Sequence, residues 1–295
     1  MEEKTRNWYD RNHKIFLFIV LAFFVFCLVY LFIFQGKNGD VIYKDVSLTG
    51  GTTITIFDQN ADIYITKEKL RETFEDVNVR QISDFGTGKQ RGFFIETGSN
   101  SEEITREVER IIGYELNEDN SSVEFTSSAL SEGFYKQLRF AIILSFIFMS
   151  IVVFIIFRSF VPSFAVILSA FADIIMTLVV VDIIGMKLSI AGIIAFLMLI
   201  GYSVDTDILL TSRLIKDNEG SLNSRIRGAF KTGIMMTLTS IAAVLVSLIV
   251  IYNLSETLRQ IFTIITIGLL FDILNTWVTN ASILKMYIER KERRR

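Results

Sequence analysis

Six stretches of the chain are predominantly apolar: residues 15–34, 140–157, 161–184, 188–212, 232–252 and 261–284. A helix rises ~1.5 Å per residue, so about 20 such residues cross a hydrocarbon core, and each stretch is predicted to be a membrane-spanning helix. Residues 15–34 carry no charge over 20 positions. That is longer than the apolar part of a signal peptide, and no small-residue cleavage site follows, so a retained first helix is expected. The links between later spans are short, except residues 213–231.

Between the first and second spans the pattern changes period. Residues 52–57 (TTITIF) alternate as a strand, and 66–76 (TKEKLRETFED) read as a helix started by a Thr66 cap. Residues 77–85 read as a strand, 86–89 as a turn and 91–96 (RGFFIE) as a strand. Residues 99–116 form an amphipathic helix with Ile104, Val108, Ile111 and Ile112 on one face, and 123–127 a last strand. The order βαββαβ is the ferredoxin-like arrangement. At about 70 residues its own core is small, so it is expected to lean on a neighbour.

Charge orients the bundle. Lys4, Arg6, Arg11 and Lys14 precede the first span, and Arg158 lies between the second and third. Arg213, Lys216, Arg225, Arg227 and Lys231 fill the link between the fourth and fifth, and Lys285, Arg290, Lys291, Arg293, Arg294 and Arg295 close the chain. The opposite short links hold only Lys187 and Arg259. Both termini are therefore expected in the cytoplasm, with Asn218 inside and Asn100 outside. The expected architecture is a polytopic α-helical membrane protein of six transmembrane helices, with one extracytoplasmic ferredoxin-like α+β domain between helices one and two. Its divisions are a cytoplasmic N-terminus (1–14), the first helix (15–34), the outer domain (35–139), a five-helix bundle (140–284) and a basic cytoplasmic tail (285–295).

Composition agrees and narrows the chemistry. Hydrophobic residues make up 51% of 295, mean hydropathy is +0.45, and the formal net charge of −2 points to no nucleic-acid partner. With one cysteine, Cys27, and one histidine, His13, neither a disulfide framework nor a histidine-based metal site or catalytic triad is expected. No G-x-x-x-x-G-K-[ST] loop is present to cradle ATP phosphates. No cofactor, metal or catalytic residue is expected, and any work is expected to draw on an ion gradient.

A carboxylate in hydrocarbon costs at least about 2.5–3.5 kcal/mol, so each one inside a span needs a reason. Asp173 lies midway along the third span and Asp272 midway along the sixth, while Asp205 and Asp207 lie in the fourth. The last two are about 200° apart around a helix and cannot share a face. Asp182, near the outer end of the third span, is expected to reach the interface. Stripes of small and hydroxyl residues run alongside: Gly268, Asp272, Asn275 and Thr279 on the sixth span, Gly233, Thr237, Ser240 and Ser247 on the fifth, and Ser203, Asp207 and Thr211 on the fourth. Asp205 shares its side with Gly201 and Ser212. Such stripes pack helices closely, and within six helices they are expected to stay partly uncovered until a second bundle meets them.

Two segments carry a resemblance. Residues 45–52, which include Asp45, Thr49, Gly50, Gly51 and Thr52, resemble the D-F-T-G-G-T signature of the SecD/SecF family of protein-export membrane proteins. Gly201, Tyr202 and Ser203, followed by acids and ending at Arg213, resemble the G-Y-S-x-N-D-[ST]-I-V-V-x-D-R-I signature of the family's SecF branch. Asp173 matches the aspartate of its H-D-V-x-I-T. The order of one helix, an outer domain and five helices is also the family's, and the pattern is similar to archaeal members. Three positions depart: Asp205-Thr206 stands for N-D with Asp207 added, Ala172 stands for the histidine, and Lys231-Thr232 for an Arg-Thr pair.

The resemblance implies membership of the resistance-nodulation-division superfamily and pairing with a SecD bundle. It also implies association with the SecY translocon in the lipid bilayer, and help for a translocating preprotein at the expense of the proton gradient. It makes Asp173, Asp205, Asp207, Lys231 and Asp272 the proton-relay candidates, Asp205 ahead of Asp207, with Lys231 favouring the ionised form of its neighbours. Three other readings stay open: a Sec subunit without ion coupling, half of a small-molecule exporter, and an intramembrane aspartyl protease using Asp173 and Asp205.

Overall fold

Five of the six apolar stretches become helices longer than themselves, because polar residues at one end or both continue the turn, and the third, residues 161–184, keeps its length. In a computed structural model that describes residues 8–74, 76–84, 87, 89–216, 221–252 and 255–293, with backbone alone at 8–11, six helices are long and apolar enough to cross a membrane. Lys4, Arg6, Gly86, Asn218, Arg294 and Arg295 lie outside the described residues.

Helix α1 (Trp8–Asn38) is apolar all round over residues 15–34, with Phe18 and Phe32 exposed. It buries one stripe at helical spacing, Val20, Phe24, Cys27 and Leu31, against Ala172, Met176 and Val179. A four-residue helix α2 (Val46–Thr49) then leads into the outer domain, β1 (Gly51–Ile56), α3 (Ile63–Thr73), β2 (Val77–Ser83), β3 (Gln90–Thr97), α4 (Ser101–Ile112) and β4 (Ser121–Thr126). The sheet is antiparallel in the order β2-β3-β1-β4, the ferredoxin-like topology expected. Ile54, Ile56, Val79, Phe93 and Ile95 pack on one face under Leu70 of α3 and Ile104 and Val108 of α4.

Both domain helices begin elsewhere than expected. Asp62 caps α3, its Oδ1 accepting from the Tyr64 and Ile65 amides, while the Thr66 hydroxyl donates to the Asp62 carbonyl inside the helix. A carboxylate satisfies two free N–H groups at once, so it displaces the threonine as cap. Asn100 caps α4, and Gly113, in a left-handed conformation, ends it four residues before position 116 where the sequence pattern had ended it.

Residues 45–52 join the sheet domain to the bundle. The Asp45 amide donates to the Leu188 carbonyl (2.9 Å), the Leu188 amide to the Tyr43 carbonyl (2.7 Å), and the Thr52 hydroxyl to the Ser99 carbonyl (2.8 Å). Gly51, at φ +144°, passes so close to the Thr97 carbonyl that a Cβ would sit 2.2 Å from it, which requires glycine.

The bundle follows as α5 (Ser128–Phe157), α6 (Phe160–Ile183), α7 (Ile190–Lys216), α8 (Leu222–Ile251) and α9 (Glu256–Leu274). A π-helical turn (Asn275–Asn280) and α10 (Ala281–Glu292) continue α9. Lys285, expected to open a polar tail, is buried within α10. The bare face of the sheet overlooks the N-terminal ends of α7 and α9 across a cleft lined by Thr53, Arg80, Glu96, Lys187 and Glu256. Two ion pairs cross it, Lys187 to Asp76 at 3.0 Å and Arg80 to Glu256, and Arg259 of α9 holds Glu256 from its own helix at 3.3 Å. The domain does lean on its neighbour.

Glu96 reports on this docking. Burial in the cleft holds its carboxyl above the usual range, and the nearby Asp45 adds to the shift, against the opposing pull of Arg80. A carboxyl raised in the folded state binds its proton more tightly there than when unfolded. Its contribution is therefore lost as pH rises from the ordinary glutamate value of about 4.3 through the raised one. Glu96→Gln cannot ionise, so its melting temperature relative to the parent chain should increase with pH across that window. A difference that stays constant with pH contradicts this reading.

Candidate functional site

Four helices of the bundle and the π turn converge on a buried polar seam. Helix α6 contributes Asp173, α7 contributes Ser203, Thr206 and Asp207, and α8 contributes Thr237. Helix α9 contributes Asp272, and the π turn Asn275, Thr276 and Asn280. The helices come this close because two glycines leave room: a Cβ on Gly268 would meet Leu199 at 2.4 Å, and one on Gly233 would meet Trp277 at 2.5 Å.

Each carboxylate has its own donors. Asp173 accepts the Ser203 hydroxyl on Oδ2 at 2.5 Å and the Asn275 amide nitrogen on Oδ1 at 2.7 Å. The Thr206 hydroxyl stands 3.0 Å from both Asp272 oxygens and from the Ser203 carbonyl, three acceptors for one hydrogen. Thr276 adds a donor to Asp272 at 3.1 Å and Thr237 one at 3.4 Å. Asp207 accepts from Asn280 Nδ2 at 2.8 Å, and that nitrogen is also 3.3 Å from the Thr211 hydroxyl. The buried Ser169 hydroxyl of α6 and the Thr276 hydroxyl of the π turn also face the Asp207 carboxylate.

All three carboxylates are essentially inaccessible, and Asp173 is within electrostatic reach of the other two. The donors just described are amides and hydroxyls, which stabilise a carboxylate less than a cation does. The arrangement can therefore hold and exchange protons among closely spaced acids. Among the described residues no group of three His, Cys, Asp or Glu side chains is arranged to hold a metal ion.

The structure brings Asp173, Asp207 and Asp272 together and leaves out two other candidates. Asp205 faces away from the seam and is exposed, as are Gly201 and Tyr202 beside it, so the side of closest helix approach within this chain belongs to Asp207. The cause is the 200° between alternate residues, with Ser203 and Asp207 turned inward together. Asp173 and Asp205 thus do not converge as a protease pair would. Lys231 is exposed on α8, while Arg213 packs against α8 beside Gly228. The stripes expected to stay uncovered are largely covered: Gly233 and Thr237 of α8, and Asp272, Asn275 and Thr279 of the last span, are buried within this one chain. Asp182, expected at the interface, is only 3% exposed.

Sequence periodicity missed Asn280 and Thr206. In a regular α-helix five residues turn through 500°, so Asn280 would point away from Asn275. The wider π turn carries Asn275 and Asn280 to the same seam, one on Asp173 and the other on Asp207. Thr206 occupies the aspartate position of the SecF-branch signature and presents a hydroxyl to Asp272, so the nearest acid at this point comes from α9.

Comparisons with known proteins agree along the whole chain. The family model described as "Protein export membrane protein SecD/SecF, C-terminal" matches residues 108–290. "Protein-export membrane protein SecF" of Methanocaldococcus jannaschii is 38% identical over 286 residues, covering 94% of this chain and 96% of that protein. The Pyrococcus furiosus protein of the same description is 32% identical over 297 residues, covering 99% and 97%. In shape the chain is similar to the crystal structure of SecDF, a translocon-associated membrane protein from Thermus thermophilus. The TM-score is 0.73 at 18% identity, over 97% of this chain and 39% of that longer one, a likeness of fold.

The seam makes a stability prediction. Asn275→Leu leaves the Asp173 Oδ1 buried without its donor, and thermal unfolding in detergent should show a loss of about 1–3 kcal/mol. Thr239→Val, which removes an exposed hydroxyl bonded only to its own helix, should change stability by less than about 0.5 kcal/mol. Equal effects of the two would mean that the seam contributes no specific hydrogen bonding.

Proposed function

The chain belongs to the SecD/SecF family of protein-export membrane proteins, and from that membership we propose that it serves as a SecF-type subunit of the Sec export machinery. In this reading it pairs with a SecD bundle beside the SecY translocon and assists a preprotein across the membrane at the expense of the proton gradient. The single observation that carries the ion-coupled part is the burial of Asp173, Asp207 and Asp272, from three helical segments, in one seam of hydroxyl and amide donors. Packing alone does not require three acids in hydrocarbon, whereas proton transfer between helices does.

Asp173, Asp207 and Asp272 act as the relay. Asp205, on the outward side of α7 with open space at Gly201, meets the partner bundle instead. An exposed carboxylate on a membrane span favours a covering helix that offers it a donor or a cation. In export assays with energised vesicles at equal expression, Asp173→Asn and Asp207→Asn should each abolish gradient-dependent stimulation, because asparagine keeps the size and cannot titrate. Asp205→Asn should keep the coupling and reduce recovery of SecD in mild-detergent pull-downs. Full stimulation in both Asp173→Asn and Asp207→Asn would leave the acids structural and the subunit uncoupled.

The orientation proposed follows the Lys and Arg asymmetry: both termini cytoplasmic, the sheet domain outside. In a Cys27→Ser background, Asn100→Cys should react with an impermeant thiol reagent on intact cells and Asn218→Cys should not. The opposite labelling would invert the topology.

A further inference from the structure

One buried acid has no role in the seam. Asp182 lies in the last turn of α6, nine residues from Asp173 and therefore on the opposite side of the helix. Its side chain is 3% exposed, yet the neighbouring Ile183 and Ile184 are 62% and 53% exposed, so it sits one residue from the outer surface. Neither carboxylate oxygen has a hydrogen-bond partner among the described residues. That is unlike each of the three seam acids, and a buried carboxylate with no donor is the costliest polar group a fold can carry.

The surroundings exclude a cationic partner. Of the titratable groups on nearby elements, Tyr30 of α1 is the one in electrostatic reach of Asp182. Lys44 of the connector is committed to Asp40 at 2.6 Å, and Lys187 of the following loop to Asp76 at 3.0 Å. A sodium ion would need several oxygen ligands around it. A proton needs none.

The location gives such a proton a consequence. The connector between α1 and the outer domain crosses here: Leu188, six residues after Asp182, exchanges backbone hydrogen bonds with Tyr43 and Asp45. Val181 packs in one cluster with Ile42 and Leu188, and Tyr43 packs edge-on against Phe34, which stacks with Tyr30.

We propose that Asp182 is a proton-binding site at the outer end of α6, separate from the seam, whose occupancy controls how tightly the connector at residues 40–45 is held to the membrane bundle. Protonated from the outer aqueous phase, the carboxyl is neutral and the connector closes over it. When the proton leaves, the carboxylate must draw in water and the connector loosens. The proposal does not depend on the relay reading, since the two involve different acids on opposite sides of α6.

Two measurements on the full chain in liposomes test it. The infrared carbonyl band of a protonated carboxylic acid should titrate with outer pH in the parent chain. One component of that band should be missing in Asp182→Asn and remain when Asp173, Asp207 and Asp272 are all replaced by Asn. In a Cys27→Ser background, Ile42→Cys should react with an impermeant thiol reagent several-fold faster at high outer pH, relative to the same cysteine in Asp182→Asn, which corrects for the thiol's own titration. A band unaffected by Asp182→Asn, a band that responds to sodium at constant pH, or a labelling ratio flat with pH would each overturn the proposal. Persistence of the Asp182 band together with loss of coupling in the seam variants would leave this site standing beside the relay.

Discussion

An acid removed from water must be given hydrogen bonds or a proton, and in this chain that demand is made three times in one place. Asp173, Asp207 and Asp272 come from α6, α7 and α9, and each draws at least one donor from another segment. Ser203 of α7 serves Asp173, Thr206 of α7 serves Asp272, and Asn280 of the π turn serves Asp207. The three segments are thus held in register by bonds that exist only when all are packed. Leaving any of the acids without its donor would expose the fold to a desolvation penalty of several kcal/mol. The glycines at 233 and 268 follow from this, because a wider spacing would put the donors out of reach.

The outer domain is attached by different means. Its core of Ile54, Phe93, Ile95, Ile104 and Val108 is its own. Its position on the bundle rests on ion pairs to the ends of the helices and on the backbone hydrogen bonds that join Tyr43 and Asp45 to Leu188. Partly exposed ion pairs contribute little apiece and respond to salt and pH, whereas buried helix packing does not. The molecule therefore combines a closely packed helical bundle with a sheet domain joined to it by ion pairs, backbone hydrogen bonds and the packing of Ile42 and Leu48.

Much of this was legible in the sequence, and the exceptions have physical causes. The six spans are visible because about 20 apolar residues in a row have few other uses. The βαββαβ order is visible because the period changes from two to 3.6 and back. Asp173 and Asp272 stand out as charges inside apolar runs. The choice between Asp205 and Asp207 was not legible, since two residues 200° apart look alike until a neighbouring helix fixes which one is inside. Asn280 was hidden by the π turn, which breaks the 3.6-residue period used to draw the stripe through Gly268, Asp272 and Asn275. Burial of the stripes inside a single chain was hidden for a related reason: how much surface six helices cover depends on how close they come, and that depends on tertiary contacts at Gly233 and Gly268.

The central claim is that the three seam acids carry protons through this protein. It is tested most directly on the purified chain with its SecD partner in liposomes, by following an internal pH indicator after a membrane potential is imposed. The account predicts proton uptake by the native pair and none above the empty-liposome leak when Asp173, Asp207 and Asp272 are all replaced by asparagine. Equal uptake by both would contradict it.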